Sequence, residues 1–195
     1  MTFPLFKRPT SDECHPCKVA YDAPNARSSL IHSCQQHLQM RAPNQSTTVI
    51  CIGTDRSTGD CLGPLVGTRL SQLCSQDFRV LGTLHQPVHA MNLQETIDSL
   101  QANDPHTFII AVDACLGQSS SVGSVQVVEG PVRPGAGVNK QLPPIGDMHI
   151  TGIVNVGGFM EYFVLQNTRL HLVMGMADVI ADTIEQSLTA LSYRP

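Results

Sequence analysis

Thr47-Thr-Val-Ile-Cys-Ile-Gly-Thr-Asp-Arg-Ser-Thr-Gly-Asp-Cys-Leu-Gly-Pro-Leu-Val66 reads as a strand, a glycine-bearing loop and the first turn of a helix. From Thr47 to Ile52 the residues are β-branched or apolar with no polar alternation, which suits a strand covered on both faces. Gly53 breaks that run, and a loop follows as far as Gly59. Leu62, Leu65, Val66, Leu70, Leu73 and Cys74 then recur on one helical face, with Thr68, Arg69, Ser71 and Gln72 mostly elsewhere. A doubly covered strand feeding an amphipathic helix is the unit from which parallel sheets with helical layers are built.

The same unit recurs downstream. Arg79 to Leu84 is a second candidate strand, and Asn92 followed by Glu95 resembles a capping pair leading into a helix through Leu93, Ile97 and Leu100. Thr107 to Val112 is a third strand, with Asp113 at its C-terminal end, and Gly123 to Val128 is a further one. Gly130 to Pro144 is rich in Pro and Gly and reads as a long surface loop. Beyond it, the spacing predicts a helix opened by Asn155, a strand over Arg169 to Met174, and a closing helix from Asp178 to Leu191. Upstream, Ala26, Leu30, Ile31, Cys34 and Leu38 mark a helix that starts near Asp22 and ends before Pro43. Met1 to Tyr21, with Pro4, Pro9 and Pro16, has little periodicity and reads as an irregular extension. Residues 22–195 are thus expected to form a single α/β domain, a three-layer sandwich whose mostly parallel central sheet has helices on both faces.

Composition narrows the function. The chain has 195 residues and a net charge of -4, with Lys and Arg scattered singly apart from Lys7-Arg8, so nucleic acid is not an expected partner. No run approaches the roughly 18 apolar residues of a membrane span, and no apolar signal segment opens the chain, so a soluble cytoplasmic protein is expected. Seven cysteines are an odd number, and several fall inside apolar patterns, which suits a reducing compartment better than a disulfide framework.

In parallel sheets, sites form beyond the carboxyl ends of the strands. Two acids are predicted there: Asp60 at the entry to the helix after the first of these strands, and Asp113 at the end of the third. A carboxylate pair suits hydrolysis, because repulsion and burial push the two pKa values apart, leaving one acid to donate a proton and the other to activate water. Each acid alone could equally cap a helix or a turn. Asp55 and Asp147 are secondary candidates from neighbouring loops, and His149 could orient a carboxylate or join Asp60 and Asp113 around a divalent metal. Cys61 and Cys115 adjoin the acids and bring a Cys–His nucleophile into consideration. Cys14-x2-Cys17 with Cys34-x2-His37 has a zinc-like spacing, although Cys34 is also needed by an apolar helix face. The glycine loop has neither the Gly-Lys-Ser/Thr ending of a P-loop nor the dinucleotide fingerprint, so no nucleotide cofactor is expected.

Ile52 to Val66, Val112-Asp-Ala-Cys-Leu-Gly117 and Gly146-Asp-Met-His-Ile-Thr-Gly-Ile-Val-Asn155 together resemble the YyaC-type sporulation proteins, and the likeness runs from about Tyr21 to Leu191. These proteins resemble in turn the spore germination protease and, more remotely, the hydrogenase-maturation endopeptidases. The resemblance implies the parallel-sheet α/β fold and a sporulation-associated peptide hydrolase in the sporulating cell or spore interior, with Asp60 and Asp113 matching the protease's acid pair. It also implies a protein or peptide as substrate. Thr54, Arg56 and Ser57 are then expected to line the substrate groove, and Thr151, Gly152, Asn155 and Gly157 to supply polar or close-approach contacts. Two alternatives stay open: a metal-dependent maturation-type endopeptidase, with His149 the nearest match to the metal-binding histidine, and a non-catalytic sporulation binding or assembly protein. An oligomer also stays open.

Overall fold

The computed structural model describes residues 17–73, 78–135 and 142–192. Residues 1–16 of the expected extension, Cys14 and Cys74, and residues 136–141 of the Pro/Gly-rich loop lie outside the described residues. The strands are β1 (Cys17–Ala20), β2 (Thr47–Cys51), β3 (Arg79–Leu81), β4 (Phe108–Gly117), β5 (Ser124–Glu129) and β6 (Met148–Val156). The helices are α1 (Ala26–Leu38), α2 (Leu62–Ser71), α3 (Leu93–Asn103), α4 (Glu161–Gln166) and α5 (Leu170–Ser192).

The strands form one sheet in the order β1-β5-β6-β4-β2-β3. The pairs β2–β3, β2–β4 and β4–β6 are parallel, while β5 runs antiparallel to both β6 and β1, so the sheet is mostly parallel with an antiparallel margin. Side-chain alternation sorts its two faces. Val49, Cys51, Ile110, Val112, Val127 and Ile150 meet Leu30, Cys34, Leu62, Val66, Val173 and Ile180 of α1, α2 and α5. Ile50, Ile52 and Ala111 meet Leu93, Ile97 and Leu100 of α3 on the other face, closed at one side by Val132 and Ile145. All five β2 residues are buried, as a strand between two helical layers requires.

Four sequence expectations give way. Cys17–Ala20 is an edge strand rather than part of an irregular extension: alternate residues are half-buried, which is enough for pairing along one edge of β5. The expected Asn155 helix start is the end of β6, whose run Ile150-Thr-Gly-Ile-Val154 is wholly buried and, apart from Gly152, β-branched. The expected Arg169–Met174 strand is the first part of α5. Its local alternation is overruled by the three- and four-residue spacing of Val173, Met176, Ala177, Ile180 and Ile184, all buried, while Leu170 and Met174 are exposed. The Asn92–Glu95 cap does not form. Asn92 Oδ1 instead accepts the His89 amide at 2.7 Å, and Asn92 Nδ2 donates to the Pro87 carbonyl at 3.0 Å, tying down the turn before α3.

Candidate active site

The β2–α2 connection is a loop folded onto itself. Gly53 has φ +144°, and a Cβ there would stand 1.9 Å from the Asp60 carbonyl oxygen. The Thr54 amide donates to that same oxygen at 3.2 Å, and the Gly53 amide donates to Val88 at 2.8 Å. At the other end of the loop, the Gly59 amide donates to the Leu165 carbonyl of α4 at 2.8 Å. Inside α2, a Cβ on Gly63 would lie 2.1 Å from the Ile52 carbonyl oxygen, so only glycine lets the helix start so close to the strand it follows. The Leu-Gly-Pro segment thereby fixes where Asp60 stands, one residue ahead of the helix cap at Cys61.

Asp113 reaches the same place by a different route. It does not end its strand, since β4 continues along β6 to Gly117. On the β2 side the ladder stops at Cys51 opposite Val112, with the Ile52 amide donating to the Val112 carbonyl, because Gly53 turns the chain away. Asp113 is thus the first β4 residue with no neighbour on that side. Its side chain shares a face with Ala111 and stands where the β2–α2 loop has opened the sheet.

Asp60 and Asp113 line one cavity of about 300 Å³ at the carboxyl ends of β2 and β4. Thr54, Arg56 and Ser57 line it from the loop, His89 and Met91 from the β3–α3 connection, Cys115 and Leu116 from β4, and Tyr162 and Leu165 from α4. Burial pushes the Asp113 carboxyl well above its ordinary value, and the Asp60 carboxylate pushes it further; the Ala114 amide, donating to Asp113 Oδ1 at 2.9 Å, opposes this only in part. Burial also raises Asp60, but the Thr54 amide and the His89 ring pull it back. The repulsion between the two carboxyls falls on Asp113, so its carboxyl is raised more than that of Asp60.

His89 is the site residue that sequence reading missed. It lies in a connection without a recognisable motif, and its one cue is that a parallel sheet brings every strand's carboxyl-end loop to the same edge. The Met91 amide donates to His89 Nδ1 at 3.3 Å, which places the neutral ring's proton on Nε2. His149, the expected histidine, is elsewhere. On β6 it pairs with Ala111 of β4, one pleat repeat below the Asp113–Thr151 level, and its Nδ1 contacts the Gly130 carbonyl oxygen at 2.8 Å.

Others of the expected contacts are structural. Gly152 lets Leu62 and Met176 close over the sheet, Asn155 Nδ2 donates to the Val164 carbonyl and to Thr168 Oγ1, and Gly157 lies against Leu116. Thr151 is buried beside Cys115, to which it is hydrogen bonded. None of these four lines the cavity. Asp147 sits at the opposite end of the sheet, where its Oδ2 accepts the Ile109 amide at 2.7 Å, and Asp55 lies outside the cavity lining. Burial raises both Cys61 and Cys115 to about 11, with the neighbouring carboxylates adding to it, so neither thiol is primed as a nucleophile. Among the described residues, no group of three or more His, Cys, Asp or Glu side chains is placed to hold a metal ion. With His149 turned away, the expected Asp60, Asp113 and His149 set does not fit a resident metal.

The fold defines a class, the α/β proteins built like the hydrogenase maturation proteases. The NiFe hydrogenase maturation protease HycI from Thermococcus kodakarensis KOD1 superposes with a TM-score of 0.51 at 19% identity, covering 80% of this chain and 97% of its own. Within that class the chain belongs to the family described as "Protein of unknown function (DUF1256)", whose profile matches residues 18–183. A relative named uncharacterized protein YyaC, from Bacillus subtilis strain 168, is 59% identical over 142 residues, which are 73% of this chain and 69% of the relative.

Proposed function

We propose that this protein is a peptide hydrolase in which Asp60 and Asp113 act as a general base and a general acid. The observation that carries the reading is the one cavity lined by both carboxyls, where burial raises each of them and the Asp60 charge raises Asp113 further. Water attacks the scissile carbonyl carbon while the Asp60 carboxylate takes a proton from it. The Asp113 carboxyl then gives its proton to the amide nitrogen as the carbon–nitrogen bond breaks. The proton taken up by Asp60 passes to Asp113 to restore the starting state. The protease-like fold supports this reading, and the YyaC-type resemblance supports a role in the cytoplasm of a sporulating cell or spore.

The test is digestion of a proteome-derived peptide library, read by mass spectrometry, with wild type and with Asp60→Asn and Asp113→Asn. Each substitution is expected to lower cleavage by about 10²–10⁴-fold with an unchanged circular dichroism spectrum. Cleavage that persists in both variants removes the pair from the mechanism. Stable capture of an uncut partner by wild type would favour a binding or assembly protein on the same fold.

A further inference from the structure

Hydrolysis by two acids leaves one demand unmet, because the carbonyl oxygen becomes an oxyanion as water adds and needs donors already aimed at it. Ser57 and His89 are two of the cavity's side chains with unused hydrogen-bonding capacity. Ser57 is 7% exposed and lines the cavity, and its Oγ has no hydrogen-bond partner among the described residues. A buried hydroxyl without a partner is unfavourable, and one on a residue that lines a cavity can be satisfied by a ligand bound there. His89 lines the same cavity. Its Nδ1 is occupied by the Met91 amide and its backbone is held by Asn92, so Nε2–H is the donor it offers.

We propose that Ser57 Oγ–H and His89 Nε2–H form the donor pair that receives the substrate's carbonyl oxygen as it becomes an oxyanion, making both of them catalytic residues. The inference rests on the hydrolase reading above. As water's oxygen bonds to the carbonyl carbon and its proton passes to Asp60, the carbonyl π pair moves onto oxygen, where the two donors meet it. When the pair returns to re-form the carbonyl, the carbon–nitrogen bond breaks and the Asp113 proton goes to the leaving nitrogen. Neither donor loses its proton in the cycle. Leu116, Tyr162 and Leu165 line the same cavity as the carboxylates, so an aliphatic substrate side chain suits it.

Two measurements decide the matter. On a peptide that wild type cleaves, Ser57→Ala and His89→Phe are each expected to lower kcat by about 10²–10³-fold with KM little changed, and His89→Gln, which retains a donor, to recover part of the loss. Ser57→Ala should also be at least as heat-stable as wild type, because it removes a buried hydroxyl with no partner among the described residues. A loss confined to KM, or wild-type rates in both variants, overturns the inference. The second measurement needs no turnover: binding of N-acetyl-leucyl-leucinal, whose hydrate presents a tetrahedral carbon, by titration calorimetry. Each of the two donor-removing variants should bind it at least tenfold more weakly than wild type, and equal binding overturns the inference. A wild type that cuts no peptide yet binds the aldehyde through both donors overturns the hydrolase reading alone. A wild type that neither cuts nor binds overturns both.

Discussion

Asp113 is a carboxyl in a place that disfavours its charge, and that has consequences for stability and for rate. Its pKa in the folded chain lies above the unfolded value, because burial and then the Asp60 carboxylate disfavour ionisation. Between those two values the folded chain binds more proton than the unfolded chain. The group's contribution to stability is therefore fully present below the unfolded value, about 4, and is lost as pH rises through the folded value. Asp113→Asn removes that loss, so the variant's urea midpoint should exceed wild type's by more at about pH 8 than at about pH 4. A difference independent of pH would mean that Asp113 ionises as freely in the cavity as in the unfolded chain. The same asymmetry predicts a bell-shaped dependence of kcat/KM on pH, rising as Asp60 ionises and falling as Asp113 does. A profile that is flat from about pH 4 to 9 would separate the acids from the rate-determining step.

At the scale of elements, the α2 start is where sequence, packing and site meet. Gly63→Ala would drive a Cβ into the Ile52 carbonyl, a backbone atom at the end of β2 that cannot swing aside. We expect a loss of about 1–3 kcal/mol in chemical denaturation, with activity falling in parallel because Asp60 moves with the helix start. Full stability in the alanine variant would mean that β2 and α2 can separate without cost. That Leu-Gly-Pro segment was legible in the sequence because its constraint is local, a glycine where two backbones touch. β2, α2 and α3 were legible for a related reason, since their apolar spacing persists over a whole element. The β6 and α5 misreadings have a different origin. Leu170 and Met174 are apolar but exposed, and they completed a false period of two, while Asn155 read as a helix start although it lies at the end of β6, whose preceding residues are buried between β4 and β5. His89 was the least legible feature, because its place depends on elements far along the chain converging on one cavity.

At the scale of the molecule, the helical layer beneath the site is held by charge as well as by the apolar core. Asp182 of α5 accepts Arg27 Nε of α1 at 2.8 Å and Arg69 Nη2 of α2 at 2.7 Å, and Arg69 also meets Asp178. The shared carboxylate is 18% exposed, while Arg27 and Arg69 are 52% and 42% exposed, so most of the screening falls on the arginines. An exposed ion pair contributes little by itself, but one partly buried acid that joins three helices forms a network and loses two partners when neutralised. Asp182→Asn is therefore expected to cost about 1 kcal/mol at low salt, more than Asp178→Asn, whose carboxylate is 54% exposed and among the described residues meets Arg69 alone. Because the Debye length falls to about 3 Å in 1 M salt, much of the difference between the two variants should vanish there. Measured by urea denaturation at both ionic strengths, a gap that survives salt would assign the role of Asp182 to hydrogen bonding in the helix layer. A gap absent at low salt would leave the packing of Leu30, Val66 and Ile180 as what joins the three helices.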